Sequence, residues 1–209
     1  MELKRIRSIL GVMSFIVVIL RYEICMRNWT KYQNFSDLWG AIQHERKRRG
    51  SPLRTPTVAT HSHPFPKQRT MVLRGFDLFQ LVFFTDHRSD KCQEVRDNPN
   101  VSVHCYSTKH RVQIQFHGLA KLNESHPLFN HWKHTALQNP MDYSTLEAPG
   151  TLTDHCDTPQ FDTTLASQHF IPMLVDIQEV HLLLLGKPHQ RCRWVRMTNN
   201  TWLKEWLVP

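Results

Sequence analysis

The run Phe84-Thr85-Asp86-His87-Arg88-Ser89-Asp90-Lys91 passes from an apolar, aromatic stretch into the first turn of a helix. Hydroxyls of Thr85 and Ser89, free backbone N–H groups at the helix start, and the cations Arg88 and Lys91 converge there, a set suited to a phosphate dianion. Ser89 is equally a plain helix cap, and the two roles are compatible. Upstream, Arg69-Thr70-Met71-Val72-Leu73-Arg74 reads as one strand whose two arginines, five positions apart, fall on opposite faces. Alone this would be an ordinary edge strand. Downstream, Gln113 and Gln115 alternate with Val112, Ile114 and Phe116, so the two amides share the polar face. Such amides are either solvated or offer both a donor and an acceptor to the edge of a heterocycle.

The elements that must position these residues follow from the patterning. Ser36 starts a helix that carries Leu38, Trp39 and Ile42 on one side and stops at Gly50. Thr57–Thr60, Arg69–Gly75 and Leu78–Thr85 are rich in β-branched and aromatic residues and read as strands of a meander. A short helix follows from Ser89 to Asp97, stopped by Asn98 and Pro99. Val101, Val103 and Cys105 share one face of a half-buried strand, as do Val112, Ile114 and Phe116 in the next. Pro127 to Gln138 reads as a helix, and Pro140 to Thr164 as a long loop of the kind that is usually functional or disordered. Strands return over Phe170–Ile177, Val180–Leu185, Gln190–Met197 and Thr201–Val208. About seven strands with two or three helices predict a mainly β fold, a closed or partly closed barrel with flanking helices.

Composition narrows the function classes. With 209 residues, 40% hydrophobic content and a net charge of +8, the chain can bury one core and welcomes an anionic partner. Charge does not choose among nucleic acid, a membrane surface and a phosphorylated small molecule, but no sequence-reading motif for nucleic acid accompanies it. The basic run Arg46-Lys47-Arg48-Arg49 reads as a solvated helix face. Five widely spaced cysteines contain no C-x-x-C pair, which fits a reducing compartment, the cytoplasm, better than a disulfide framework. The pairs His104-Cys105 and His155-Cys156, and His189 near Cys192, have no recognised ligand spacing, so no metal is expected. Residues Ile9 to Leu20 form an apolar run that is short for a bilayer and lacks a cleavage site. Residues 1–25 are thus open to three readings: an anchor, an export signal, or an upstream extension of a gene that starts at Met26. The last is preferred because the patterned domain, residues 26–209, begins after them. The N-x-S/T triplets at Asn28, Asn34, Asn100, Asn123 and Asn199 carry no weight without secretion.

Three motifs in order, R-T-M-V-L-R from Arg69, F-F-T-D-H-R-S-D-K from Phe83 to Lys91, and R-V-Q-I-Q-F-H-G from Arg111, resemble the flavin-binding core of the pyridoxamine 5'-phosphate oxidase-like split-barrel proteins. The ending His189-Gln190-Arg191 with Trp206-Leu207-Val208-Pro209 is similar too. So is Arg54-Thr55-Pro56 to the opening of that family's short, stand-alone FMN-binding branch. The resemblance runs from Ser36 to Pro209 and is weak between Asn123 and Ser167.

What the resemblance implies is an FMN-binding split β-barrel. Arg69, Thr70, Met71, Val72, Leu73 and Arg74 would run along the flavin, and Phe84 and Thr85 would line its ribityl chain. Arg88, Ser89 and Lys91 would hold its phosphate, Gln113 would reach the isoalloxazine, and Arg191 would contribute from the C-terminal part. The family's flavin lies at a homodimer interface, so the polar outer face would meet a second subunit. Departures concern the substrate side: Arg74 stands where vitamin oxidases have Lys, and Lys187-Pro188-His189 where they have Arg-x-His. The phosphate-gripping residues of their middle helix find no counterpart from Phe129 to Leu137. An expected tryptophan is missing upstream of Arg191, with His181 nearest. Arg74, Lys187 and His189 are the remaining candidates for substrate contact. The expected activity is FMN-dependent oxidation or reduction of a small molecule, and the alternative is a flavin-binding or flavin-sensing module without turnover.

Overall fold

The chain enters its sheet through helix α1 (Phe35–Lys47), in a computed structural model that describes residues 28–153 and 159–209. The extension 1–25, with Cys25, and the His155-Cys156 pair lie outside these residues. Asn34, rather than Ser36, caps α1: its side-chain oxygen accepts from the Asp37 N–H at 2.9 Å. The helix ends at Lys47 because Arg48 turns extended, and Gly50 sits beyond the end with φ +76°. Leu38 and Ile42 are fully buried, each contributing about 1.5–3 kcal/mol.

Among the described residues, nine antiparallel strands form one sheet where about seven were expected. They are β1 (Thr57–Thr60), β2 (Lys67–Thr70), β3 (Leu73–Asp77), β4 (Gln80–Asp86), β5 (Asn100–Ser107), β6 (Val112–Leu122), β7 (Phe170–Leu184), β8 (Gln190–Arg196) and β9 (Trp202–Leu207). The order is β2-β1-β5-β6-β7-β4-β3, with β8 and β9 branching from β7. The two ends of this path, β2 and β3, are joined in sequence by Met71 and Val72 alone, so the sheet curls back on itself.

Here the expected strand Arg69–Gly75 is corrected. Its halves pair with different partners, β2 with β1 and β3 with β4, so Arg69 and Arg74 belong to two strands rather than to opposite faces of one. The strand expected from Leu78 starts at Gln80, since Leu78 occupies the hairpin turn with φ +49°. Conversely, Phe170–Ile177 and Val180–Leu185 are one strand. A register shift where β6 passes from His117 to Gly118 leaves Gln178 as the extra residue, and β7 runs on. One edge of β7 is shared: Phe170–Asp176 pairs with β4, and Glu179–Leu184 with β8. This fork splits the barrel.

The core fills the barrel around α1. Phe35 stacks on Trp202 with ring centroids 3.7 Å apart, and Trp39 meets Phe76 edge-on at 5.1 Å while its indole N–H donates to the Leu78 carbonyl. Helices α2 (Asp90–Asp97), α3 (Phe129–Ala136) and the short α4 (Ala166–His169) flank the sheet. A second apolar cluster, with Trp132, Tyr143, Phe170 and Leu174, lies between α3, α4 and the sheet. No helix of the described residues is long and apolar enough to cross a membrane.

Candidate functional site

Strand β4 delivers Phe84 and Thr85 to the rim of α2, and the β2–β3 junction runs alongside. Between them opens a cleft of about 390 Å³, lined by Arg69, Thr70, Met71, Val72, Arg74, Phe84, Thr85 and Lys91 among others. Eight of the residues expected to bind the flavin are thus gathered in one place. Its far wall comes from the loop after α3, through Asp142, Tyr143 and Pro149. That wall was not foreseen, although Pro140, set to open a 3₁₀ turn that carries Tyr143, is a local signal for it.

At one end of the cleft the Lys91 ammonium donates to Thr85 Oγ1 at 3.1 Å and to Ser89 Oγ at 2.9 Å, both neutral acceptors. It forms no ion pair with any described residue. Burial holds its pKa below the ordinary lysine value. A cation drawn out of water beside two hydroxyls at a helix N-terminus is short of a negative charge, and a phosphate would supply it. Ser89 is the N-cap residue of α2 without capping it by side chain; its hydroxyl donates instead to the Asp86 carbonyl at 2.7 Å.

Arg69 is fixed from behind. Its guanidinium pairs with Glu94 at 2.8 Å and donates to the Thr60 hydroxyl, while Lys67 reaches Glu94 at 3.1 Å and Asp90 at 3.0 Å. Burial alone would raise the Glu94 carboxyl, but hydrogen bonds from Thr60, Lys67 and Arg69 outweigh it and hold the group below its usual 4.5. A carboxyl depressed in the folded state adds stability above its unfolded pKa and loses it as pH falls through the folded one. Wild-type urea midpoints should therefore drop between about pH 5 and pH 3 more steeply than those of Glu94→Gln. Equal slopes would show that Glu94 is not held as described.

Other expected residues lie elsewhere. Arg88 does not line the cleft: Asp86, two residues earlier, takes its guanidinium at 2.7 Å, and Arg88 then donates to the Thr145 and Leu146 carbonyls at 2.9 and 3.0 Å. It clamps the loop that carries Tyr143. Leu73 is buried in the core, with its carbonyl accepting from Arg46. Gln113 and Arg191 line a separate cavity of about 130 Å³ with Gln115 and His181. The register Gln113↔Leu183↔Arg191 sets them on the two strands that flank β7, on one sheet face, and His181 Nδ1 there is buried without a hydrogen-bond partner among the described residues. Lys187 and His189 are exposed in the β7–β8 turn. The described residues of one chain thus present two separate sets of expected contacts.

The fold is that of a split-barrel domain. Residues 32–124 match the family model described as pyridoxamine 5'-phosphate oxidase, FMN-binding domain. This segment belongs to that pyridoxamine 5'-phosphate oxidase-like family, which includes both oxidases and FMN-binding proteins. A pyridoxine-5'-phosphate oxidase of Dictyostelium discoideum is 32% identical over 80 residues, 38% of this chain and 35% of that enzyme. The match therefore spans about a third of the curated relative's length. A pyridoxamine 5'-phosphate oxidase-related, FMN-binding protein of Nostoc punctiforme superposes with a TM-score of 0.62 at 26% identity, covering 81% of this chain and 96% of its own. PhzG of Burkholderia lata, with a TM-score of 0.65 at 15% identity over 87% and 96% of the two chains, shares the fold.

Proposed function

We propose that this chain is an FMN-binding flavoprotein and an oxidoreductase acting on a small molecule. The observation that carries the reading is Lys91: a half-buried ammonium facing the cleft, held by Thr85 and Ser89 and without a counter-ion among the described residues. A terminal phosphate satisfies it, and the absence of a G-x-G-x-x-G run argues for FMN over a dinucleotide. When bound, the flavin supplies hydride chemistry. The chain's part is to anchor the phosphate through Lys91 and Ser89, to set Arg69 and Arg74 along the ring system, and to wall out water with Phe84 and Tyr143. Three described cysteines are buried free thiols, in keeping with a cytoplasmic protein.

The second set of contacts, Gln113 and Arg191, completes the site if a partner subunit brings its own copy to the cleft. The reading is accordingly a homodimer with two equivalent flavins, closed two-fold symmetry being the commonest arrangement. Sedimentation of the FMN-loaded protein should give twice the chain mass. Monomer mass with flavin fully bound would rule the dimer out.

Pyridoxine and pyridoxamine 5'-phosphate should be poor substrates, because Lys187 and His189 sit exposed in a turn and each missing charged contact costs about 1.5–3 kcal/mol. The test mixes FMN-loaded protein anaerobically with NADPH or either phosphate and follows the flavin band, then follows aerobic formation of pyridoxal 5'-phosphate. Bleaching by NADPH with turnover of the phosphates well below about 1 per second is expected. Turnover at or above that rate would make the protein a vitamin oxidase. No bleaching by any reductant would favour a flavin-binding module without turnover, the reading to which the exposed Lys187 and His189 also point.

A further inference from the structure

The loop that walls the flavin cleft at the start of α2 is fixed at several points. The 3₁₀ turn Pro140–Tyr143 opens it, and the buried His169 ring donates through Nδ1 to the Tyr143 carbonyl at 2.8 Å. Ser144, also buried, donates its hydroxyl back to the Pro140 carbonyl at 2.6 Å, and the Leu146 N–H reaches the Gln160 carbonyl at 3.0 Å. Arg88 completes the attachment. Its Nε and one terminal nitrogen fork onto the buried Asp86 carboxylate at 3.0 and 2.7 Å, while the terminal nitrogens also reach the Thr145 and Leu146 carbonyls. A lysine could balance Asp86 but could not span the carboxylate and both carbonyls together.

Past this clamp the loop turns tightly over residues 148–151. The Thr151 N–H and hydroxyl both donate to the Ala148 carbonyl, at 3.1 and 2.8 Å, and Gly150 takes φ +95°, a backbone conformation that favours glycine. The turn lies against the start of α2: a Cβ on Gly150 would stand 3.8 Å from the Asp90 carboxylate, and Pro149 lines the cleft together with Lys91. The cleft is therefore walled close to the ammonium that would take a terminal phosphate. Charge sets the same limit. Of the cations around the start of α2, Lys67 is paired with Asp90 and Glu94, Arg69 with Glu94 and Arg88 with Asp86, so among these Lys91 alone has no described carboxylate. Exposed Asp142 lines the same wall and exposed Asp90 begins the helix, so a second phosphate would meet negative charge there and no cation left over.

We propose that the loop 142–150, held by Arg88, is the specificity element of the cleft: it admits a flavin that ends in one phosphate and excludes one extended through a second phosphate to a nucleoside. Arg88 is then a positioning residue that acts through the loop. The inference rests on the flavin reading above and names what sets its selectivity.

The test measures FMN and FAD affinities calorimetrically in the full chain and in two variants. Arg88→Lys leaves a cation for Asp86 and removes the fork to the loop carbonyls. Pro149→Gly loosens the exposed tip and leaves every bond of the clamp in place, so it decides the matter even if Arg88→Lys folds poorly. Wild type should bind FMN about a hundred-fold or more tighter than FAD, and in each variant FAD should tighten about tenfold or more while FMN stays within about threefold. An unchanged FMN-to-FAD ratio in Pro149→Gly would overturn the role of the loop and leave the flavin reading standing. Loss of FMN affinity in folded Arg88→Lys without any gain for FAD would place Arg88 on the phosphate itself and overturn the proposal as well. Uptake of neither flavin by wild type would overturn the flavin reading, and this inference with it.

Discussion

Replacing Lys91 with alanine should weaken FMN binding by about 1.5–3 kcal/mol, roughly ten- to more than a hundred-fold, with little change in folding. The selectivity follows from the geometry. Among the described residues the ammonium bonds only to the Thr85 and Ser89 hydroxyls, so removing it strands no described carboxylate. Ser89 keeps its own bond to the Asp86 carbonyl. Arg69→Ala should cost the flavin a comparable amount, but it also strips a partner from buried Glu94 and would lower stability too. Because burial already lowers the Lys91 pKa, FMN affinity in wild type should begin to fall at a lower pH than an ordinary lysine would allow, and Lys91→Ala should lack that limb. Fluorescence titration with FMN across pH measures both effects; equal affinities for wild type and variant would remove Lys91 from the site.

Gly118→Ala should destabilise the fold by about 3 kcal/mol or more, because at no other described glycine would an added Cβ come so close to the backbone. At the bulge where β6 pairs with β7, an added Cβ would stand 2.3 Å from the Asp176 carbonyl oxygen and 3.1 Å from the Ile177 Cα, both backbone atoms. Neither can swing aside as a flexible side chain would, so β6 and β7 must part where the fork to β8 begins. Urea denaturation reads the cost directly. Stability within about 0.5 kcal/mol of wild type would mean that the strands separate easily and that the bulge does not set the fork.

Much of this architecture is legible in the chain. Thr57–Thr60 is strand β1 as patterned, the helix expected from Ser89 to Asp97 is α2 with Ser89 at its N-cap and its stop at Asn98, and the alternation along β6 puts Gln113 and Gln115 on the partly exposed face opposite buried Val112 and Ile114. Local pattern reports which face of a strand is buried, not which strand lies beside it. That is why Arg69–Gly75 read as one strand and Phe170–Leu184 as two, since the first break and the second continuity are settled by long-range pairing. The helix start was misplaced for a smaller reason: Asn34 and Ser36 are both good caps two positions apart, and the bond to Asp37 decides between them.

For the site, residue types suited to phosphate are legible at the start of α2, but charge alone does not say which cation is left without a carboxylate. Arg88 looked equivalent to Lys91 until Asp86 took it up. The wall formed by Asp142, Tyr143 and Pro149 lies in a stretch with little periodicity, where only tertiary contact defines position.

The flavin content of the chain tests the central claim most directly. The full chain, equilibrated with equal concentrations of FMN, FAD and riboflavin and passed through a desalting column, should retain a yellow flavin band; released by acid and identified chromatographically, it should be FMN at about one per chain. Retention of no flavin, or of FAD or riboflavin in preference to FMN, would contradict the phosphate site at Lys91 and the reading built on it.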